Sequence, residues 1–164
     1  MPICPQCNQA ELTVCRENHH YVESGLGNVT LRAIAIRRCP GCGASFASIP
    51  RLAELHRAIA LLLIRKPERL VPTEIRFLRK HLGWSGADFA RKFHCSPSQV
   101  SRWESETNPT PMSNAYELLL RTLVAQGERI EDYQQHMEEI ATVAEARPAV
   151  LALVLEEDGW RRAA

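Results

Sequence analysis

Two short cysteine pairs are the part of the sequence best suited to chemistry. They read Cys4-Pro5-Gln6-Cys7 and Cys39-Pro40-Gly41-Cys42, with 31 residues between them. A tight turn brings both thiolates of a pair to one side of the backbone, and two pairs supply the four sulfurs of a closed tetrahedral site. We predict one structural Zn²⁺ per chain, bound by Cys4, Cys7, Cys39 and Cys42. Such a site has no open position for catalysis.

Disulfide bonds are the alternative use of these cysteines, and they need an oxidising compartment. The chain begins Met1-Pro2-Ile3-Cys4, which leaves no room for a signal peptide. The longest apolar run, Ala58 to Ile64, is too short to cross a bilayer. We therefore expect a soluble, cytoplasmic protein with no membrane partner. Cys15 and Cys95 fit neither pair, and we expect each to be a buried small hydrophobe.

The segment between the cysteine pairs must hold the two pairs together. Apolar residues alternate with polar ones around Leu12 and Val14 and again from Val29 to Ala35, and Gly25-Leu26-Gly27-Asn28 supplies a turn. We predict that residues 1–50 form a small β module of two zinc knuckles joined by a β excursion.

Residues 51–71 read as an amphipathic linker helix. Leu52, Leu55, Ile59, Leu62 and Leu63 recur at three- and four-residue spacing, and Pro67 ends the pattern. We expect this helix to pack on its own chain. Pairing with a second copy, or a groove for another protein, are the alternatives.

Residues 72–125 contain four closely spaced helix-start signals, at Thr73, Ser85, Ser96 and Ser113. Ser96 is followed by Pro at the first helical position and by Gln at the third. We expect the fourth helix to bury Leu118, Leu119 and Leu123. The short second helix and the short turn after it are typical of a helix-turn-helix, in which the third helix stands clear of the core.

The third of these helices carries the candidate DNA-reading residues. With Val100 and Trp103 turned inward, the remaining side chains face out. Arg102 can bond bidentately to guanine and Gln99 to adenine in the major groove, while Ser96 suits a phosphate. The predicted contacts to double-stranded DNA come from Ser96, Ser98, Gln99, Ser101, Arg102 and Lys92. A helical bundle with a merely solvated face is the alternative.

Charge is unevenly distributed along the chain, although the net charge is only +1. Residues 51–71 have five Lys and Arg against two acidic residues, whereas residues 126–164 have four against nine. The acidic extension is unsuited to DNA. We predict two further helices in it, one from about Glu128 to Arg147 and one after Pro148, which stabilise a dimer. The fold class is thus α+β, mainly α, with units at 1–50, 51–71, 72–125 and 126–164.

The central unit resembles the Cro/phage-repressor (XRE) class of helix-turn-helix. The resemblance rests on Leu78-Arg79, Leu82-Gly83-Trp84-Ser85, Asp88-Phe89-Ala90 and Val100-Ser101-Arg102-Trp103-Glu104. Joined to a doubled Cys-x-x-Cys module, it is similar to the MqsA-type (YgiT zinc finger) antitoxins and related regulators. The resemblance implies that Ser98 and Arg102 read bases and that Glu104 pairs with Arg79 in the core.

The same resemblance implies a homodimeric repressor of a palindromic operator, and an autoregulating antitoxin whose toxin is encoded nearby. The antitoxins carry Asn where this chain has Ser98, which implies a different operator. Alternatives are a regulator without a toxin and a metal or redox sensor. The sequence has no recognisable nucleophile motif or Gly-rich phosphate loop. We therefore expect no enzymatic activity and no small-molecule substrate.

Overall fold

Strands from both ends of the chain form one five-stranded sheet. A computed structural model describes residues 2–128 and 145–164. The strands are β1 (Thr13–His20), β2 (Val29–Arg38), β3 (Ser45–Ser48), β4 (Leu151–Glu156) and β5 (Gly159–Arg162). Their order is β1-β2-β4-β5, and β3 pairs with β2 beyond the end of β4. Of the four pairings between these strands, β2–β4 is the parallel one. The first and last parts of the chain therefore share one structural unit.

The helix predicted after Pro148 is wrong, because this segment forms the β4–β5 hairpin. Leu151 and Leu153 are buried while the residues between and beyond them are more exposed, which is the period of a strand. Glu156 pairs with Gly159 across a two-residue loop. Gly159 follows Asp158 and has a φ of +142°, a conformation that favours glycine. Parallel pairing with β2 then outweighs local helix propensity.

The other predicted helix of the extension, from about Glu128 to Arg147, lies largely outside the described residues. Its last part, from Glu145 to Arg147, is not helical, and Ala146 forms an isolated parallel bridge with Arg69. The boundaries drawn at residues 50, 71 and 125 stay predictions as limits of folding units.

Five helices are described: α1 (Leu52–Arg65), α2 (Pro72–His81), α3 (Gly86–Lys92), α4 (Pro97–Trp103) and α5 (Asn114–Glu128). The caps predicted at Ser85, Ser96 and Ser113 are confirmed, since each hydroxyl accepts a backbone N–H three residues later. The cap predicted at Thr73 is wrong. The helix begins one residue earlier, at Pro72, and the Val71 N–H donates to Glu74 Oε2 at 2.9 Å.

Helix α1 joins the sheet to the remaining helices. It buries Leu55, Ile59 and Leu63, and it contacts α2, α5 and β5, so the predicted packing on its own chain is confirmed. One apolar cluster runs from the sheet through α1 into α2–α5. The molecule is mixed α/β and rich in helix, as predicted. No helix in the described ranges has the length and apolar character needed to cross a membrane.

Candidate metal centre and DNA-binding surface

Both cysteine pairs form the same kind of turn. In the first, the Asn8 N–H donates to the Cys4 carbonyl at 2.9 Å, and in the second the Gly43 N–H donates to the Cys39 carbonyl at 2.9 Å. Asn8 and Gly43 both have positive φ, at 54° and 74°. Asn and Gly are the residues that adopt this conformation most readily. The repeated spacing in the sequence therefore produces two matching knuckles, one before β1 and one after β2.

The four predicted ligands come together in the structure. All four Sγ atoms lie within 4.8 Å of one another. The Cys4–Cys42 and Cys7–Cys39 sulfurs are 3.7 Å and 3.6 Å apart, and all four thiols are free. Zn–S bonds of about 2.3 Å in a tetrahedron place sulfurs roughly 3.8 Å apart, whereas a disulfide needs about 2.05 Å. The cluster therefore has the donor set and the spacing to hold one metal ion.

The thiols of the cluster differ in their affinity for protons. Backbone hydrogen bonds from Gln9 and Ala10 lower the pKa of Cys7 to about 6. The backbone hydrogen bond of Ala44 lowers the pKa of Cys42, but hydrogen bonds with Cys39 and burial together outweigh it and raise that pKa to about 12. Crowded thiolates repel one another, so a cation is needed before all four ionise together.

A side chain at Gly41 would crowd the second knuckle. A Cβ on Gly41 would lie 3.2 Å from Ala10 Cβ, 3.8 Å from Cys39 Sγ and 4.0 Å from Cys7 Sγ. We expect Gly41→Val to weaken Zn²⁺ binding by about tenfold or more. The added side chain contacts the cysteine ligands, and overpacking of this kind costs about 1–3 kcal/mol. Competition with a chromophoric chelator measures this affinity.

The matched control for that substitution is Gly27→Val. No atom lies within 4 Å of a Cβ built at Gly27, in the turn between β1 and β2. Its Zn²⁺ affinity should equal that of the unchanged protein. Equal affinities for Gly41→Val and Gly27→Val would contradict the crowding argument.

Cys15 and Cys95 stay outside the cluster. Cys15 is exposed on β1 and its thiol donates to the Ile36 carbonyl at 3.6 Å, so its predicted burial is wrong. Cys95 is half-buried, and burial raises its pKa. Cys15 is exposed because β1 lies at the edge of the sheet. An edge strand exposes residues that an alternating sequence pattern alone would place inside.

Helices α3 and α4 cross closely to form the helix-turn-helix. Ala90 is buried at the crossing, and its carbonyl accepts the Cys95 N–H at 3.0 Å, which tightens the turn. Ser85 caps α3 and shares a reciprocal capping box with Asp88, whose pKa its hydrogen bonds lower. Ser96 caps α4. Short-range signals in the sequence therefore fix where both helices begin.

The inner face of α4 is anchored as predicted. Val100 and Trp103 are each 2 % exposed, and the Trp103 ring lies 6.0 Å from Phe89 and 5.2 Å from Tyr116 between centroids. Beside them, the guanidinium of Arg79 holds the carboxylate of Glu104 with two hydrogen bonds of 2.6 and 2.8 Å. The core pair that the resemblance implies is therefore present.

The outer face of α4 lies open to solvent. Ser96, Ser98, Gln99, Ser101 and Arg102 are all exposed. Ser98 Oγ lies 3.0 Å from Ser96 Oγ, so these hydroxyls form one polar pair. Among the residues that the structure describes, the side chains of Gln99 and Arg102 have no hydrogen-bond partner. The described part of the acidic extension, which includes β4 and β5, leaves these side chains exposed.

Lys92 is the last residue of α3, four residues before Ser96. It is exposed, and its Nζ lies 5.0 Å from the centre of the Trp84 ring. This cation–π contact gives the lysine a preferred position. Its predicted DNA contact stays a prediction, as do those of the five residues on α4.

Sequence reasoning passed over one exposed residue at this surface. His94 lies in the turn between α3 and α4 with a φ of 50°. Among residues other than Gly, His is enriched in this left-handed conformation together with Asn and Asp. The sequence signal for this conformation was the short turn between α3 and α4, because such a turn requires one residue of positive φ after α3.

One comparison with known proteins gives a match. The helix-turn-helix family model (HTH_3, the XRE type) matches residues 75–119, from α2 into α5 and slightly more than a quarter of the chain. No curated protein and no solved structure shows significant similarity to the chain. The matching family consists of DNA-binding regulators and not of enzymes. Residues 75–119 therefore form an XRE-type helix-turn-helix domain, which supports a DNA-binding transcription regulator.

Proposed function

We propose that this protein is a sequence-specific repressor that binds a palindromic operator as a homodimer. The observation that carries the proposal is the arrangement of α4, which is anchored by Val100 and Trp103 and presents Gln99 and Arg102 without a described partner. Two copies of this helix must lie about 34–36 Å apart, one turn of B-DNA, to read two half-sites.

The exposed side chains divide between base reading and backbone contact. Arg102 donates two parallel hydrogen bonds to guanine O6 and N7, and Gln99 pairs with adenine N6 and N7. Ser98 and Ser101 offer hydroxyls, which accept or donate. Lys92 and Ser96 lie at the turn and hold phosphates, which sets the register of the helix in the groove.

In this proposal Zn²⁺ has a structural role. The spacing of the sulfurs supports zinc, and one ion per chain closes the two knuckles on the ends of β1 and β2. Four thiolates leave no position for water or substrate. Reading of DNA depends on α4, and the metal stabilises the sheet against which α1 packs.

We expect Arg102→Ala to weaken operator binding by about 1–3 kcal/mol, roughly ten- to a hundredfold, and to relax base preference at one position in each half-site. Operator DNA is first selected from a random pool, and affinity is then measured by fluorescence anisotropy at fixed salt. Arg37→Ala is the matched control, because Arg37 is an exposed arginine on β2. Equal affinity and unchanged preference for the two variants would refute the assignment of α4.

The finer part of the proposal is that the repressor is the antitoxin of a type II toxin–antitoxin pair. What supports it is the pairing of a four-cysteine module with an XRE-type domain. Such a protein represses its own operon and neutralises an adjacent toxin. Expression of the neighbouring gene alone and together with this one tests it: arrested growth that this protein rescues is expected. Normal growth in both cultures would leave a regulator without a toxin.

A further inference from the structure

A cavity of about 240 Å³ lies directly behind the DNA-reading helix. Its floor is Trp103, the anchor of α4, and one wall is formed by Leu70 and Ile75 at the start of α2. The opposite wall is the loop of residues 109–112 that follows α4. For comparison, a dry cavity of about 150 Å³ in a protein core is large enough for benzene. This cavity therefore has room for a molecule of one or two rings.

The lining of the cavity selects uncharged, apolar molecules. Leu70, Ile75, Trp103 and Met112 are all buried apolar residues. Among the lining residues that the structure describes, Arg69 is the one ionisable residue, and its guanidinium is already hydrogen-bonded. Its Nε donates to Glu117 Oε2 at 3.0 Å, and its Nη2 donates to the Met112 carbonyl. A charged ligand would lose its hydration, and a carboxylate would have to compete with Glu117 for Arg69.

The cavity is mechanically connected to the reading surface. The loop that forms its wall is tied to α4, because the Thr110 N–H donates to the Arg102 carbonyl at 3.1 Å. Trp103, which forms the floor of the cavity, is next in sequence to Arg102. A molecule that fills the cavity therefore contacts both structures that set the position of the C-terminal end of α4. It changes DNA affinity to the extent that it binds one position of α4 better than another.

We propose that this cavity binds a small uncharged apolar or aromatic effector, and that its occupancy changes the affinity of α4 for DNA. The second half of this proposal rests on the proposed function, whereas the first half does not. The effector is a regulatory ligand and undergoes no reaction.

The binding test uses the full chain with ¹³C-labelled methionine methyl groups and p-cresol as the probe. Met112 lies in the lining, so its methyl resonance should shift and saturate. Benzoate, a ring of similar size with a negative charge, should bind about tenfold more weakly or worse. No saturable shift of Met112 with p-cresol, or equal affinity for benzoate, would overturn the proposed site.

Variants that fill the cavity make the assignment specific. Ala146→Leu and Ile75→Phe each add volume to the lining, and each should weaken p-cresol binding by about tenfold or more. Ala115→Leu, on an exposed position of α5, is the matched control and should bind like the unchanged protein. Circular dichroism selects the filled variants that keep their fold. A folded filled variant that binds as tightly as the control would refute the site.

The regulatory half is tested by operator affinity with and without saturating p-cresol. A change of about fivefold or more is expected in the unchanged protein and in Ala115→Leu, and none in the filled variants. Unchanged affinity would overturn the regulatory half alone. Failure to bind any DNA without the probe would instead refute the proposed function, and the methyl shifts would still decide the binding site.

Discussion

Replacing Glu117 with alanine is expected to lower the free energy of unfolding by about 3–5 kcal/mol, because it leaves a buried arginine without its counter-charge. Glu117 is 4 % exposed and Arg121, one turn later on α5, is 0 % exposed. Glu117 Oε1 accepts Arg121 Nη2 at 2.8 Å and the Leu70 N–H at 3.0 Å. Equilibrium unfolding in urea, followed by circular dichroism, measures the change.

The matched control for Glu117→Ala is Glu106→Ala. Glu106 is exposed, and its carboxylate lies 3.6 Å from Arg76 Nη1 at the surface. Pairs of this kind contribute about 0–1 kcal/mol. A loss for Glu117→Ala no larger than that of the control would show that the buried network adds nothing to stability.

The same network fixes the segment between α1 and α2. Arg121 donates to the carbonyls of Ile64, Lys66 and Glu68 at 3.1, 2.8 and 2.7 Å. Carbonyls in the last turn of a helix and just beyond it lie at the end of the regular hydrogen-bond ladder, and Arg121 supplies donors to three of them. The segment between α1 and α2 is therefore held by α5 through the side chains of Arg121 and Glu117.

A second buried pair holds the chain where it returns to the sheet. Lys66 Nζ lies 2.6 Å from Glu74 Oε2 and also donates to the Arg147 carbonyl. Glu74 Oε1 accepts the Ala149 N–H at 2.7 Å. Burial lowers the pKa of Lys66, and the adjacent carboxylate of Glu74 opposes this shift. The end of α1, the start of α2 and the approach to β4 are thus joined by charged groups.

Features carried by short-range patterns could be predicted from the sequence. The two turns of the cysteine pairs, the caps at Ser85 and Ser96, and the inward turn of Val100 and Trp103 each depend on residues a few positions apart, although 31 residues separate the two pairs. The local geometry of each of these features depends little on the rest of the chain. The sequence therefore predicts both the four-cysteine cluster and the helix-turn-helix.

Features that depend on distant partners could not be predicted in this way. Leu119 was expected on the buried face of α5 but is 42 % exposed, while Arg121 is fully buried. Helical periodicity alone predicts that a leucine is buried and that an arginine is exposed. Burial of the Arg121 guanidinium becomes favourable because it donates to carbonyls at the end of α1. The β4–β5 hairpin was missed for a similar reason, since its parallel partner β2 lies more than a hundred residues away in sequence.

The two apolar clusters are separate, and this determines what loss of the metal does. Cys4, Leu12 and Cys39 form the buried centre of a small cluster around the sulfurs, packed with Phe46. The large cluster contains α1–α5 and the inner face of the sheet, and none of these residues. With the proposed metal bound, the knuckles would rely on it in place of apolar burial, whereas the helices rely on their own core.

Replacing Cys39 with serine is expected to reduce bound Zn²⁺ from one per chain to a small fraction, with loss of amide protection in both knuckles. A structural zinc site supplies roughly 10–16 kcal/mol to the fold of a small peptide module, and three thiolates hold the ion far less tightly than four. The helices should keep their protection and the chain should still bind DNA. Hydrogen exchange read by mass spectrometry, with metal content by atomic emission, measures both.

Cys15→Ser is the control for this substitution, because Cys15 is a free, exposed cysteine outside the cluster. It should keep one Zn²⁺ per chain and full protection of the knuckles. Stoichiometric zinc in Cys39→Ser would contradict the ligand assignment. Loss of protection in α3 and α4 as well would contradict the independence of the two apolar clusters and would show that the knuckles and the helix-turn-helix unfold as one cooperative unit.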